Sequence, residues 1–335
     1  MPAWFLLLLA VLLLPLRTAE AQTQPAFDLP ISCEMGIVCV VQNYVDYDPG
    51  PGAADYTCGL LAYNGHDGTD IRVPNMTYVA RGVPVLAAAA GRIAGTRDGV
   101  RDVSVRETGK AAVQGIECGN GVLIDHDGGW TTQYCHMRMG SVQVRTGQNV
   151  AAGEVLGLVG MSGNAEFPHV HLTVRFNNVA VDPFVGPLPA AACGAPRAPL
   201  WSVTAQAKLA YTRAGLLNAG FAAAQPLTTE ILAGQHQEPT LARDAANLVF
   251  WVEAFGVGTG DRSRLTVTAP NGRVIADSTT EPSTQHWASR MVYAGLRRTD
   301  PQWMAGVYRG VYVLERMVGG AWTPVFTVNR QVEVR

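Results

Sequence analysis

Gly121-Val122-Leu123-Ile124-Asp125 and Trp130-Thr131-Thr132-Gln133-Tyr134 are two short runs dominated by β-branched, aromatic and aliphatic residues, with Asp127-Gly128-Gly129 between them. Runs of that length around a Gly-rich turn predict a β-hairpin. The same grammar extends on both sides. Val83-Pro84-Val85-Leu86 reads as a strand upstream, and spaced glycines punctuate Val144 to Gly163 downstream. No long stretch here carries a helical period, so residues 56–187 are expected to form a mostly β, antiparallel domain.

Before it, residues 22–55 read as an N-terminal extension. Its Asp48-Pro49-Gly50-Pro51-Gly52 is loop chemistry and is expected to wrap the following domain. Beyond it, residues 188–200 are rich in Ala and Pro and read as a linker. Residues 201–335 return to β patterning. Leu248 to Phe255 is a buried-type strand. Leu265 to Thr268 and Val274 to Ala276 flank Asn271-Gly272, and Val307 to Leu314 and Val325 to Val334 lie around Gly319-Gly320. That spacing predicts a second, immunoglobulin-like β-sandwich. It holds no motif-spaced chemistry, so it is expected to be a separable unit that positions or recruits the chain. It is also a candidate surface for a protein partner. Its tryptophans Trp201, Trp251, Trp287, Trp303 and Trp322 could stack on glycan sugars, but are expected mainly in the sandwich core.

Composition narrows the function classes. The chain has 335 residues, 48% hydrophobic and 16% charged, with a formal net charge of −2. It has room for two cores, and no basic run suggests nucleic acid as a partner. Trp4 to Leu14 is an unbroken apolar run followed by Ala19-Glu20-Ala21, so residues 1–21 are expected to be a signal peptide and the product exported, periplasmic or extracellular. The run is too short to span a membrane, and no stable insertion is expected after cleavage. Six cysteines and no Cys-x-x-Cys pair suit an oxidising compartment rather than a thiolate metal site. Cys33–Cys39, close in sequence, Cys118–Cys135, across the hairpin, and Cys58–Cys193, joining the domain's start to its end, are the expected pairs.

Four of the seven histidines fall in three short segments. They are His66-Asp67-Gly68-Thr69-Asp70, Tyr134-Cys135-His136 and Pro168-His169-Val170-His171. Residues two apart on a strand share a face, so His169 and His171 can line one cleft. Imidazoles and a carboxylate are zinc ligands, and catalytic zinc sites commonly keep three protein ligands. Each segment alone is a weak signal; their combination in one domain is not. The remaining His126, at the hairpin turn, is read as exposed, and His236 and His286 as surface residues of the second domain.

With these motifs the stretch Tyr63 to Phe184 resembles the lysostaphin-type (LytM-type) zinc endopeptidases. The resemblance rests on H-x-G-x-D at His66 to Asp70, Gly82 to Gly91, Gly121 to His126, Tyr134-x-His136, Val144 to Gly163, and Pro168 to Leu172. It implies one zinc per catalytic domain, bound by His66, Asp70 and His171, with His136 and His169 as catalytic histidines. It also implies hydrolysis of the peptide part of bacterial peptidoglycan. The alternatives are a non-catalytic regulator or wall-binding module of the same fold, or a zinc protease acting on non-wall peptides. Two departures stand out, Ala165-Glu166-Phe167-Pro168 before the H-x-H motif and an insertion from Arg97 to Glu117. Both fall where substrate should lie.

Overall fold

A computed structural model describes Met1, residues 24–187 and residues 192–335. The expected signal peptide therefore falls almost wholly outside the described residues, as do positions 188–191 of the expected linker. Among the described residues no helix is long and apolar enough to cross a membrane.

The first unit contains strands β1 (Val40–Asn43), β2 (Thr69–Arg72), β3 (Pro84–Leu86), β4 (Gly91–Arg97), β5 (Asn120–His126), β6 (Trp130–Met137), β7 (Asn149–Val150), β8 (Val155–Leu158), β9 (His169–Phe176) and β10 (Val179–Val181). The main sheet runs β1-β2-β9-β6-β5-β4-β7, with β10 also paired to β9, and every pairing is antiparallel. Strands β3 and β8 form a separate pair. The β5–β6 hairpin turns at Asp127 to Gly129, as its glycines predict. One face of β9 sends Val170, Leu172 and Val174 into a core shared with Ile71, Val122, Ile124 and Tyr134. The opposite face carries His169, His171 and Thr173, also buried.

The N-terminal extension does more than wrap the domain. Its strand β1 is an edge of the main sheet, and Val41 is paired with Ile71. Cys33–Cys39, Cys58–Cys193 and Cys118–Cys135 are all disulfide-bonded. The insertion is clamped down by its own carboxylates. Asp102 accepts from the Met139 and Met161 amides, and Asp98 from the Gly140 and Val142 amides.

The second unit holds β11 (Gly215–Ala222), β12 (Thr240–Leu241), β13 (Asn247–Val257), β14 (Arg262–Thr268), β15 (Val274–Thr279), β16 (Trp287–Arg297), β17 (Gly306–Val318) and β18 (Ala321–Val334). They form two sheets, β11-β13-β16 and β12-β18-β17-β14-β15, antiparallel except for the short β12–β18 pair. Phe221, Phe250 and Val252 of the first sheet and Leu265, Tyr308, Tyr312 and Val332 of the second share one core, so the two sheets form a sandwich. Hairpins turn at Asn271-Gly272 and Gly319-Gly320. Of the tryptophans, Trp303 lies in this core and Trp251 on the far side of β13, whereas Trp201 is buried in the first unit's core and Trp287 is exposed.

Strand β13 explains its own unbroken apolar run. Phe250, Val252 and Ala254 face the sandwich core, while Phe255 joins the core of the first unit. Leu209 and Leu217 join that core too. The end of the expected linker is also docked: Leu200 and Trp201 are buried, the Leu200 carbonyl accepts from Phe27 N–H, and the next Ser202 N–H donates to the Phe27 carbonyl. Leu200, at the end of the Ala/Pro-rich linker, and Trp201 just past it belong to the first core. The two units pack directly on one another.

Candidate metal centre

The site is built on the buried polar face of β2, β9 and β6. In register Asp70 lies opposite His171, and Arg72 opposite His169. On the other side of β9, Cys135 lies opposite His171. Beyond Cys135 strand β6 bulges, since Val122 pairs with Tyr134 but Asn120 with Met137, leaving Cys135 and His136 against Gly121 alone. Bulges re-aim side chains. His136 accordingly has φ +62°, an uncommon value for a residue with a side chain. Its amide donates to the Cys118 carbonyl at 2.8 Å, so the neighbouring Cys118–Cys135 disulfide helps hold the bulge.

All five predicted residues converge. His66 Nε2 lies 3.2 Å from Asp70 Oδ1 and 3.1 Å from His171 Nδ1, and His171 Nδ1 lies 2.8 Å from Asp70 Oδ1. These three are the cluster whose ligand atoms are close enough to hold one metal ion. The rings of His136 and His169 are 4.6 Å apart, and His136 lies 5.9 Å from His171. His169 Nε2 reaches Asp70 Oδ1 at 3.4 Å.

Outer partners set which ring nitrogen faces inward. His66 Nδ1 donates to the Tyr44 carbonyl at 2.6 Å, leaving an Nε2 lone pair toward the cluster. The other nitrogen of His171 meets Thr173 Oγ1 at 2.9 Å and Asp67 Oδ1 at 3.4 Å, which directs Nδ1 inward. Asn43 Nδ2 donates to Asp70 Oδ2 at 3.0 Å and leaves Oδ1 for the cluster. His136 Nδ1 donates to the Ser162 carbonyl and His169 Nδ1 to the Phe167 carbonyl, both at 2.8 Å. Both catalytic candidates thus present Nε2 to the site. Fixing tautomers through backbone or side-chain acceptors is how metal-ligating histidines are commonly oriented.

Charge balance follows from this packing. Burial works against a charged His171, but hydrogen bonds and attraction from Asp67 and Asp70 overcome it and lift its pKa to about 9. Burial would likewise raise Asp70, yet the surrounding histidines hold it well below the usual carboxylate range. Burial, followed by repulsion from His169 and His171, drives His136 well below the ordinary histidine range, so it is neutral at pH 7. Gly68 has a steric reason: a Cβ there would stand 2.6 Å from both His171 Nε2 and the Leu172 carbonyl oxygen.

Residues 64–183 match peptidase family M23. This segment is an M23 domain. Cell division protein DipM of Caulobacter vibrioides is 35% identical over 111 residues, which are 33% of this chain and 14% of that protein. DD-carboxypeptidase/endopeptidase Mpg of Neisseria meningitidis serogroup B is 34% identical over 124 residues, 37% of this chain and 23% of that protein. Peptidoglycan DD-endopeptidase ShyB of Vibrio cholerae is 29% identical over 126 residues, 38% and 24% of the two chains. The chain thus spans less than a quarter of the length of these curated relatives.

Several supporting residues of the M23 domain escaped the sequence reading. Thr173 sits two residues past His171 on the same face, a signal that strand alternation offered. Tyr44 and Asn43 come from the extension, and no local pattern announces them. His126 is a correction. It is buried, not exposed, with Nδ1 on the Ala90 carbonyl at 2.7 Å and Nε2 on Thr132 Oγ1 at 2.8 Å. Burial lowers its pKa, and it braces the hairpin away from the cluster. His236 and His286 are half-buried rather than freely exposed.

Proposed function

We propose that this chain is an exported zinc endopeptidase that hydrolyses peptide bonds of bacterial peptidoglycan. The observation that carries the reading is the triangle of His66 Nε2, Asp70 Oδ1 and His171 Nδ1, with edges of 2.8 to 3.2 Å. Ligand atoms bound at about 2.0–2.1 Å around a tetrahedral zinc lie about 3.3 Å apart, and two neutral imidazoles with one carboxylate are a zinc donor set. The residues present fit the ion. When bound, zinc supplies Lewis acidity toward a peptide carbonyl and an acidified water, its pKa lowered to about 7.

The protein's own groups do the rest. His136 and His169 each hold Nδ1–H on a backbone carbonyl and aim Nε2 at the same space. One of them takes the proton from water. A protonated imidazole beside the Asp70 carboxylate then stabilises the developing oxyanion or returns the proton to the leaving amine. The substrate class is supported by relatives named as a DD-carboxypeptidase/endopeptidase and a peptidoglycan DD-endopeptidase. Export is supported by three disulfides, which persist in oxidising compartments. We read the C-terminal sandwich as immunoglobulin-like, with outer faces available to a protein partner or the wall.

Purified protein should carry close to one zinc per chain and cleave isolated muropeptides at peptide bonds, with products read by mass. Intact muropeptides after prolonged incubation of zinc-loaded protein would remove the reading. Because Asp67 and Asp70 lift the His171 pKa to about 9, zinc binding at pH 7.5 should also release about one proton, measurable by calorimetry in buffers of different ionisation enthalpy.

A further inference from the structure

Arg72 lies on the site face of β2, opposite His169. Its side chain is 3% exposed, and its ion-pair partner among the described residues is Glu253 Oε1, at 2.9 Å from Nη2. Nη1 donates to Gln42 Oε1 at 3.0 Å. Glu253 belongs to the sandwich, in the middle of β13 between Val252 and Ala254. It is steadied there by Asn218, whose Nδ2 also donates to the Pro74 carbonyl at 2.7 Å. The Arg72 guanidinium in turn lies over the Phe167 ring, 4.7 Å from its centroid. The Phe167 ring packs 4.7 Å from the ring of His169, and the Phe167 carbonyl accepts from His169 Nδ1 at 2.8 Å. On the other side, the insertion grips the same segment through Val105 N–H on the Ala165 carbonyl and Ser104 Oγ on the Glu166 carbonyl.

We propose that Glu253 is a positioning residue for His169, acting from the sandwich through Arg72 and Phe167. A buried guanidinium needs a counter-charge, and Glu253 supplies it. Fixed in that place, Arg72 caps the Phe167 ring by cation–π contact. The capped ring holds the 165–168 segment, and that segment's carbonyl fixes the tautomer and aim of His169. The two departures from the lysostaphin-type pattern, the insertion and the Ala165 to Pro168 stretch, meet the sandwich at this point. The inference rests on His169 acting in catalysis, so its test includes a measurement that does not depend on turnover.

In the full-length zinc-loaded protein, Glu253→Gln, Glu253→Leu and Phe167→Leu should each lower kcat on a soluble muropeptide, Glu253→Leu and Phe167→Leu by about 10- to 100-fold and Glu253→Gln by less. KM and zinc content should change little. Imidazole 1H–15N spectra should show His169 leaving its single Nδ1–H tautomer while His66 stays in place. The double variant Glu253→Leu/Phe167→Leu should be no worse than the poorer single variant, since both break one path. Arg262→Gln, which removes a sandwich pair with Glu315 away from the interface, should leave kcat unchanged. Wild-type kcat with an unmoved His169 signal in Glu253→Leu would overturn the proposal, as would a kcat loss that merely follows zinc loss. If Glu253→Leu does not fold, Phe167→Leu decides by the same two readouts. A wild-type protein that fails to cleave muropeptides would count against the endopeptidase reading, while the His169 spectra would still test the coupling.

Discussion

Strands β9 and β13 are alike in position and unlike in use. Each is an inner strand of its sheet, and each is buried on both faces over most of its length. In β9 one face is aliphatic and the other carries His169, His171 and Thr173. In β13 one face is aliphatic or aromatic core, and the other carries Trp251, Glu253 and Phe255. A central strand has no solvent to give its polar residues, so every polar side chain there must find a partner inside. Three polar residues at period two line the candidate site. One polar residue among aromatics produces a docking face with a single charged contact.

The contrast is sharpest at the three proposed metal ligands. His171→Ala removes one of three donors and the group whose proton balances Asp70. Zinc content should fall to a small fraction of the wild-type value and muropeptide cleavage to background, by metal analysis and product mass. Full occupancy in that variant would mean the polar face of β9 is not the ligand face.

Next in size are the two histidines that present Nε2. His136→Ala and His169→Ala should keep the metal and lose about 10²–10⁴-fold in kcat, the usual worth of a positioned general acid or base. Wild-type rates in both would reduce the β9 face to a binding site without proton transfer.

The same comparison shows what the sequence made legible. The hairpins at Asp127 to Gly129, Asn271-Gly272 and Gly319-Gly320 were readable because turn geometry is local. The convergence of the five candidate residues was readable because His-x-His sits on one strand face and H-x-G-x-D brings its ends to one side. The support for those residues was not. The Tyr44 carbonyl reaches His66 across 22 positions, and Glu253 reaches Arg72 across 181. Such contacts are made by tertiary packing and leave no periodic trace. One trace did exist: Glu253 is the lone charge in Leu248 to Phe255, and a charge in a run buried on both faces demands a counter-charge. His126 misled for the opposite reason. Its place beside a turn suggested solvent, whereas Ala90 and Thr132 take both ring nitrogens beneath the sheet.

If the β13 face is structural as well as positioning, removing it should cost stability. A chain ending near Ala198 loses Leu209, Leu217 and Phe255 from the first core and leaves Arg72 without Glu253. Breaking one partner out of a buried ion pair costs about 3–5 kcal/mol. Urea unfolding of Glu253→Leu should therefore show a loss in that range, and the truncated chain a larger one. A truncated M23 domain as stable and as active as the whole chain would break the comparison, leaving β13 an ordinary core strand of a tethered module.

The smallest effect expected lies at the seam of the two units and reports whether they unfold together. Asp182 is buried two residues before Phe184, whose ring packs with Tyr44 and Tyr56 and through them with Tyr211, which also donates to Asp55 at 2.7 Å. Burial pushes the Asp182 pKa up to about 7, against the Phe184 N–H that it accepts. In the folded chain its carboxyl keeps a proton up to that pH, while in the unfolded chain it ionises near 4. Between those values the folded state binds the extra proton, so stability is greatest at low pH and falls as pH rises toward 7. Asp182→Asn is neutral throughout and removes that slope. Relative to wild type, it should gain about 2–3 kcal/mol in stability between pH 5 and pH 8. Scanning calorimetry distinguishes two forms of the result. If the seam makes one cooperative unit, a single transition moves with the substitution. If the sandwich melts alone, a second transition stays where it was, and the contact through β13 is weaker than its burial implies.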